Sequence, residues 1–414
     1  MSAAAETVLE RMRRTIAERD LATPETPVLL MVSGGSDSTA LAYLAHELRE
    51  RGGIGEVAVL HVNHCLRGAA SDGDAAFVAQ LADALEFPLF ACKIDIAGEA
   101  RRTKENVEAV ARRERYRAAA EALASLARHA ALPVADARIF TAHTADDRAE
   151  NFYMRSIVGT GPGGFRSMLY RNGQVARPLL EASREELRAY LHARAEAGCI
   201  VVRDEAGALW REDATNAHTD RFRAYVRHEI VPRAQERNPQ LLATLTRTMN
   251  LIADEDDLLE EMAARLEAEH ARWEHVPVRA DAGFEGGAGS RAFASDVLPE
   301  VPSREAPPSA TVCDAGKPLP CEACMLAPEL GEKPLPLQRR VCTRVLKRLL
   351  GTDARIETAS VEAVLAAYRN GAPISGYTAN IQGNLAVSAN KRGVRVEPMA
   401  AYRARRKPGQ ARRA

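Results

Sequence analysis

The stretch Ser33-Gly34-Gly35-Ser36-Asp37-Ser38 stands directly after an apolar run, Pro27 to Val32, and directly before a helical pattern, Ser38 to Arg51. Two glycines let the backbone turn tightly and bring several N–H groups toward one point. Ser36, Ser38 and Thr39 add hydroxyl donors at the positive end of a helix, an arrangement that suits pyrophosphate. Asp37 is out of place beside an anion unless Mg2+ bridges its carboxylate to phosphate oxygens, so the acid argues for a metal-nucleotide held at Asp37. No Lys follows, which separates this loop from a Walker phosphate loop. A bare Ser-Gly-Gly also reads as a simple turn with a serine cap.

Outward from this loop, short β-rich runs alternate with helical stretches. Strands are predicted at Pro27 to Val32, Val57 to Val62, Leu89 to Ile94 and Arg138 to Ala142. Helices are predicted at Ser38 to Arg51, Ser71 to Leu85, Asn106 to Arg128 and Ala145 to Ile157. The fold class is therefore α/β, a doubly wound parallel sheet over residues 1–182, with its ligand expected beyond the carboxyl ends of the strands. Residues 183–273 read as a helical domain. Residues 274–336 turn to Gly, Pro, Ala and Ser without helical or strand period and read as an insertion or linker. Residues 337–398 read as a small α+β domain with helices Leu337 to Leu350 and Ser360 to Tyr368 and strands Thr378 to Ile381, Leu385 to Ser388 and Val394 to Val396. The remainder, 399–414, is a basic tail.

Composition excludes several classes. The 414 residues are 46% hydrophobic and 27% charged, as in an ordinary folded chain. Lys+Arg and Asp+Glu number 56 each, so an RNA partner would be met by a local basic surface and not by bulk charge. No apolar run approaches a membrane span, and seven scattered Cys fit a reducing compartment, so a cytoplasmic location is expected. Cys313, Cys321 and Cys324 include a metal-knuckle spacing but offer only three local ligands, and a redox pair for sulfur transfer is the rival reading.

Further polar segments follow the other predicted strands. His61, Asn63, His64 and Arg67 lie on the expected ligand edge, where they could contact base, ribose or phosphate or form a polar loop. Arg112 and Arg115 share a helical face, where either could meet a phosphate, or one could pair with Glu108. Asp147 and Glu150, at i,i+3 in a helix opened by His143, present two carboxylates to a cation or simply stabilise the helix dipole. Arg221, Arg223, Arg227, His228, Arg233 and Arg237 interleave with Phe222 and Tyr225, a mixture that grips phosphates and stacks bases, or is merely solvated.

The Ser33 to Ser38 loop resembles the signature of the ATP pyrophosphatases, the PP-loop superfamily. His61-Val62-Asn63-His64-Cys65-Leu66-Arg67, Ala111-Arg112, Arg115-Tyr116, Ala142-His143-Thr144-Ala145-Asp146-Asp147, Asp213 to Asn216 and Arg223 to His228 narrow the resemblance to the tRNA(Ile)-lysidine synthetases. It is strong over Val28 to Pro239 and weak over Leu337 to Pro398. The resemblance implies an ATP-dependent ligase whose substrates are ATP with Mg2+, free L-lysine and a tRNA(Ile) with a CAU anticodon. It implies ATP contacts at Ser33, Gly34, Gly35, Ser36, Asp37, Ser38, His61 and Asn63, and catalytic roles for Asp37, Arg112 and His143. Asp147 and Glu150 would hold lysine, and Arg67, Asn216, Arg223 and Arg227 would meet the RNA, with further grip from the C-terminal domain. Thr144, Asn151 and Ala224 depart from the usual pattern, which bears on the details of lysine and RNA binding. A tRNA thiolase of the same superfamily and a nucleotide-binding regulator without turnover are the alternatives.

Overall fold

A computed structural model describes residues 7–65, 68–212, 222–278, 319–351 and 354–406. The described residues form two compact units, one running up to Ala253 and the other starting at Asp254.

The first unit is built on strands β1 (Val28–Met31), β2 (Val57–Asn63), β3 (Leu89–Lys93), β4 (Arg138–Phe140), β5 (Arg171–Asn172) and β6 (Val175–Ala176). Their order is β3-β2-β1-β4-β6-β5, parallel except for the β5–β6 pair. The helices are α1 (Val8–Glu18), α2 (Ser36–Glu50), α3 (Ala69–Ala84), α4 (Ile96–Thr103), α5 (Val107–His129), α6 (Ala145–Val158) and α7 (Arg184–Glu196). The near-continuous apolar runs of β1 and β2 arise because both sheet faces are covered. Val28, Leu30, Val57 and Val59 face a core shared with α1, α2, α3 and α7, whereas Leu29, Ala58 and Leu60 face Ala119, Leu123 and Leu126 of α5. Each such leucine contributes about 1.5–3 kcal/mol on burial. The chain runs β1, β2, β3 to one side and then crosses to β4 on the other side of β1. The switch point, where a doubly wound sheet opens a crevice, therefore lies between the ends of β1 and β4.

Two helices, α1 and α4, lie beyond the predicted set. In addition, α7 does not begin a separate helical body: Leu187 and Leu191 are buried in the same core as Leu41 and Leu44 of α2. Its local pattern is that of any amphipathic helix, and only packing assigns it to the sheet. Beyond it come α8 (Phe222–Tyr225), a π-helical turn Val226–Ile230, α9 (Val231–Arg237) and α10 (Leu241–His270).

The second unit holds a sheet of order β11-β12-β13-β8-β7. Its strands are β7 (Ala271–Val278), β8 (Leu319–Leu326), β11 (Thr378–Ile381), β12 (Leu385–Asn390) and β13 (Gly393–Pro398), with a separate short pair, β9 (Tyr368–Arg369) and β10 (Ala372–Pro373). Helices α11 (Leu335–Leu350) and α12 (Thr358–Leu365) supply Val341, Cys342, Val345, Val361 and Val364 to its core, and α13 (Met399–Arg406) occupies what was read as the start of the tail. The stretch 274–336, expected to lack strands, contributes to β7 at one end and contains β8 at the other. Those residues become strands through pairing with each other and with β13, a long-range effect that local composition does not report. Trp273 of β7 carries Arg348 stacked 3.9 Å from its ring centre, and Arg348 also donates to Glu322.

No described helix is long and apolar enough to cross a membrane.

Candidate active site

A cleft of about 1160 Å³ opens at the β1–β4 switch point. Its walls include Ser33, Gly35, Ser36, Asp37 and Ser38 after β1, His61 to His64 at the end of β2, and Thr141 to His143 after β4.

The loop after β1 is organised by one hydroxyl. Ser38 Oγ accepts from the N–H groups of Ser33 and Gly34, each at 3.2 Å, and donates to the Gly35 carbonyl at 3.1 Å. Thr39 Oγ1 ties down the Gly34 carbonyl at 3.2 Å. Gly34 has φ +94°, a conformation that side-chain-bearing residues rarely adopt, so the first glycine is required by the turn. The N-cap of α2 is Gly35, and no side chain caps the helix. The first N–H groups of α2 are therefore left for a ligand at the positive end of the dipole.

His61 is buried, and its Nδ1–H donates to the Val32 carbonyl at 2.9 Å, which leaves Nε2 as an acceptor with no protein partner. Burial lowers its pKa, so it is neutral at pH 7. Asn63 lines the cleft, but its amide is already engaged, donating to Asp72 of α3 at 3.0 Å and accepting from Cys65 N at 2.9 Å. Arg115 meets His64 Nε2 at 3.2 Å, and burial together with Arg115 brings the His64 pKa down to about 4. Arg115 and Tyr116 line the cleft, whereas Arg112 is not among the lining residues and lies over the Tyr116 ring at 5.5 Å. His143 Nδ1 is 2.9 Å from Thr141 Oγ1.

The second half of the site is the opening turn of α6. Thr144 caps that helix through a reciprocal bond with Asp147, whose Oδ2 accepts from Thr144 N at 2.9 Å and from Thr144 Oγ1 at 3.1 Å. A Thr at position 144 is thereby explained as a cap. Asp147 and Glu150 are both buried and face three guanidinium groups. Arg184 is the first residue of α7. Its Nε lies 3.2 Å from Asp37 Oδ2, its Nη1 2.7 Å from Glu150 Oε1, and its Nη2 on Asp147 Oδ1. Arg223 reaches Glu150 Oε2 at 2.8 Å and Asp147 Oδ1 at 2.9 Å. Arg227 straddles Glu150 at 2.7 and 3.2 Å. These cations hold the Asp147 carboxyl far below its ordinary range despite full burial, and hold Glu150 down as well. Burial pushes Asp37 up, with Arg184 opposing it, and pushes Asp146 up.

The structure thus gathers Ser33, Gly35 to Ser38, His61, Asn63 and His143 around one cleft, with Gly34 in the turn but not on its wall, and joins Asp37 to Asp147 and Glu150 through Arg184. Arg223 and Arg227, expected to face RNA, are turned inward onto the carboxylates. Arg67, Asn216 and Cys313 lie outside the described residues. Cys324 is a buried core residue whose thiol is pushed up to about 12, the opposite of an activated sulfur. Among the described residues no group of three or more His, Cys, Asp or Glu side chains is arranged to hold a metal.

Sequence reading missed Arg184 and Arg211. Ser183 and Glu186 form a capping box, which makes Arg184 a basic residue in a first helical turn, opposed to the dipole; that mismatch is the available signal. Arg211 donates its backbone N–H to the Gly34 carbonyl at 2.8 Å and its Nε to Asp74 at 3.0 Å, a contact made across a large sequence separation.

A family model described as the PP-loop domain matches residues 5–234, more than half of the chain. This chain belongs to the PP-loop family. The tRNA(Ile)-lysidine synthase of Thermus thermophilus is 40% identical over 245 residues, covering 59% of this chain and 43% of that protein. The tRNA(Ile)-lysidine synthase of Geobacter sulfurreducens is 34% identical over 279 residues, covering 67% of this PP-loop protein and 53% of the relative. The chain spans about half the length of these curated relatives. Among solved structures, the U34-tRNA thiolase NcsA of Methanococcus maripaludis aligns with a TM-score of 0.41 and 14% identity over 60% of this chain and 79% of that one.

Proposed function

We propose that this PP-loop protein is a tRNA(Ile)-lysidine synthase. ATP is bound at Ser33 to Ser38, and the C2 oxygen of the wobble cytidine in a CAU-anticodon tRNA(Ile) attacks its α-phosphate, releasing pyrophosphate. The ε-amine of lysine, steered by Asp147 and Glu150, then attacks C2 and expels AMP. The observation that carries this reading is Arg184, which spans from the phosphate-loop acid Asp37 to the carboxylate pair Asp147 and Glu150. On this reading a nucleotide end and an ammonium end would stand one side chain apart, which suits an adenylation followed by amine attack. The names of the relatives agree with it.

Each part of the chain has a task. The loop N–H groups and the uncapped start of α2 take phosphate charge. Neutral His61 offers a buried acceptor on the ligand side, and His143 stands at the β4 edge of the same cleft. Mg2+ fits the donor chemistry at Asp37, because this cation is ordinarily held by one or two carboxylates and the substrate phosphates, not by a dedicated cage. When bound it would neutralise phosphate charge in the first step. Arg115, which lines the cleft, is placed better than Arg112 to meet phosphate, so the family role expected of Arg112 passes in this proposal to Arg115.

The test is direct: incubate the protein with ATP, labelled lysine and CAU-anticodon tRNA(Ile), digest the RNA and follow label into the nucleoside fraction. Label in a modified cytidine, with AMP and pyrophosphate released in equal amounts, supports the assignment. Pyrophosphate release without lysine incorporation, or incorporation of sulfur from a sulfur donor instead, overturns it.

A further inference from the structure

Every oxygen of the proposed ammonium site is already engaged by the chain. Asp147 Oδ2 accepts two bonds from Thr144, and Asp147 Oδ1 accepts from Arg184 and Arg223. Glu150 Oε1 accepts from Arg184 and Arg227, and Glu150 Oε2 from Arg223 and Arg227. A carboxylate has about four lone-pair sites in all, so both groups are saturated and an incoming amine must displace a donor.

The three arginines are not equivalent. Arg184 belongs to α7, whose Leu187 and Leu191 are buried in the core; its backbone N–H is held by Asp146 at 2.8 Å, and Asp37 binds it as well. Arg223 and Arg227 sit on the four-residue α8 and the π-helical turn that follows, where among residues 222–231 only Val226 and Val231 are buried. Their side chains are 37% and 27% exposed, against 19% for Arg184, and Tyr225 between them is exposed. A π-turn is a rare register, frequently found at functional sites. With all three arginines in place, three acids (Asp37, Asp147, Glu150) meet three guanidinium groups; if two leave, the acids keep Arg184 alone and carry two uncompensated negative charges. Such a site attracts a substrate ammonium.

We propose that Arg223 and Arg227 are an internal stand-in for the substrate ammonium, and that RNA phosphates open the amine site by drawing these two guanidiniums away while Arg184 stays. The guanidinium fork fits phosphate as well as carboxylate, so the exchange trades one bidentate partner for another. Lysine and RNA therefore bind with positive coupling, and reciprocity requires each to tighten the other by the same factor. The inference rests on the proposed lysine site.

Equilibrium dialysis of labelled L-lysine against the full chain, without ATP so that no chemistry occurs, tests this with and without a CAU-anticodon tRNA(Ile) transcript. If the closed form holds nine-tenths or more of the protein, RNA tightens lysine about tenfold or more. The double variant Arg223→Gln, Arg227→Gln should bind lysine tightly without RNA, gain less than about twofold from it, and lose lysine on further Glu150→Gln substitution. Equal lysine affinity of the unaltered protein with and without RNA overturns the proposal, and that comparison needs no variant to fold. If lysine enters the RNA in the incorporation assay but dialysis shows no coupling, the gating alone fails. If no lysine enters the RNA, the proposed reaction itself fails, and the gating with it.

Discussion

Replacing Arg184 by Met keeps much of the side chain's volume on α7 but takes the shared cation from Asp37, Asp147 and Glu150. The Asp37 pair is the informative one, because Asp37 is the acid beside the proposed ATP loop, whose titration an ATP-dependent assay reads. At 3.2 Å and an effective dielectric constant of about 20, the Arg184–Asp37 attraction is about 5 kcal/mol. The two side chains are 19% and 22% exposed, so solvent screening reduces this to roughly 1.5–3 kcal/mol. At 1.36 kcal/mol per unit, the Asp37 pKa should rise by about one to two units. The direction is unambiguous: burial already raises Asp37 and Arg184 opposes it, so removing the arginine leaves the burial effect uncompensated. The assay is kcat/KM for ATP in RNA- and lysine-dependent pyrophosphate release, followed from about pH 5 to about pH 9. The acidic limb should move to higher pH by about one to two units, with a weaker KM for ATP at neutral pH. A variant that keeps the limb where the unaltered protein has it would show that Asp37 is not the group titrating, and the coupling of the two half-sites through Arg184 would be refuted.

Ser38→Ala removes the hydroxyl that organises three bonds of the phosphate loop; at about 1 kcal/mol for each neutral bond, ATP affinity measured by isothermal titration should fall about tenfold or more, with circular dichroism unchanged. Gly34→Ala forces a side chain into φ +94° and should cost about 1–2 kcal/mol in urea denaturation besides weakening ATP binding. Asp147 and Glu150 have folded-state pKa values below their unfolded ones, so their stabilisation is complete above about pH 4–5 and is lost as pH falls through the folded values. The melting temperature should accordingly drop below about pH 4, and less steeply in Asp147→Asn; an identical acid profile for that variant would count against the ion-pair cluster. In the second unit, Glu397 is 1% exposed between Arg395 and the half-exposed Arg405, and because Arg395 keeps Glu274, Glu397→Gln should destabilise by roughly 1–2 kcal/mol, seen as a lowered urea midpoint.

The alternation of strand and helix, the switch point between β1 and β4 and the Gly-Gly turn leading into α2 were legible in the order of the residues. Those features are local: an apolar run buried on both faces, a Gly-Gly turn and a helix start each write themselves within a few positions. Asp147 and Glu150 were legible as a pair because one helical turn places them together. What the linear order could not show is what those carboxylates touch. Arg184, Arg223 and Arg227 come from 34 to 77 positions away and meet them only because α7 packs into the sheet's core and α8 folds back onto α6. The same holds for β7 and β8, ordinary in composition and made strands by their partners. The sequence by itself determined the fold class, the Gly-Gly turn after β1 and the pair of acids in the opening of α6. Tertiary structure alone decided which cations neutralise those acids, because ion pairing follows distance in space, and the chain brings these groups together only after the core has formed.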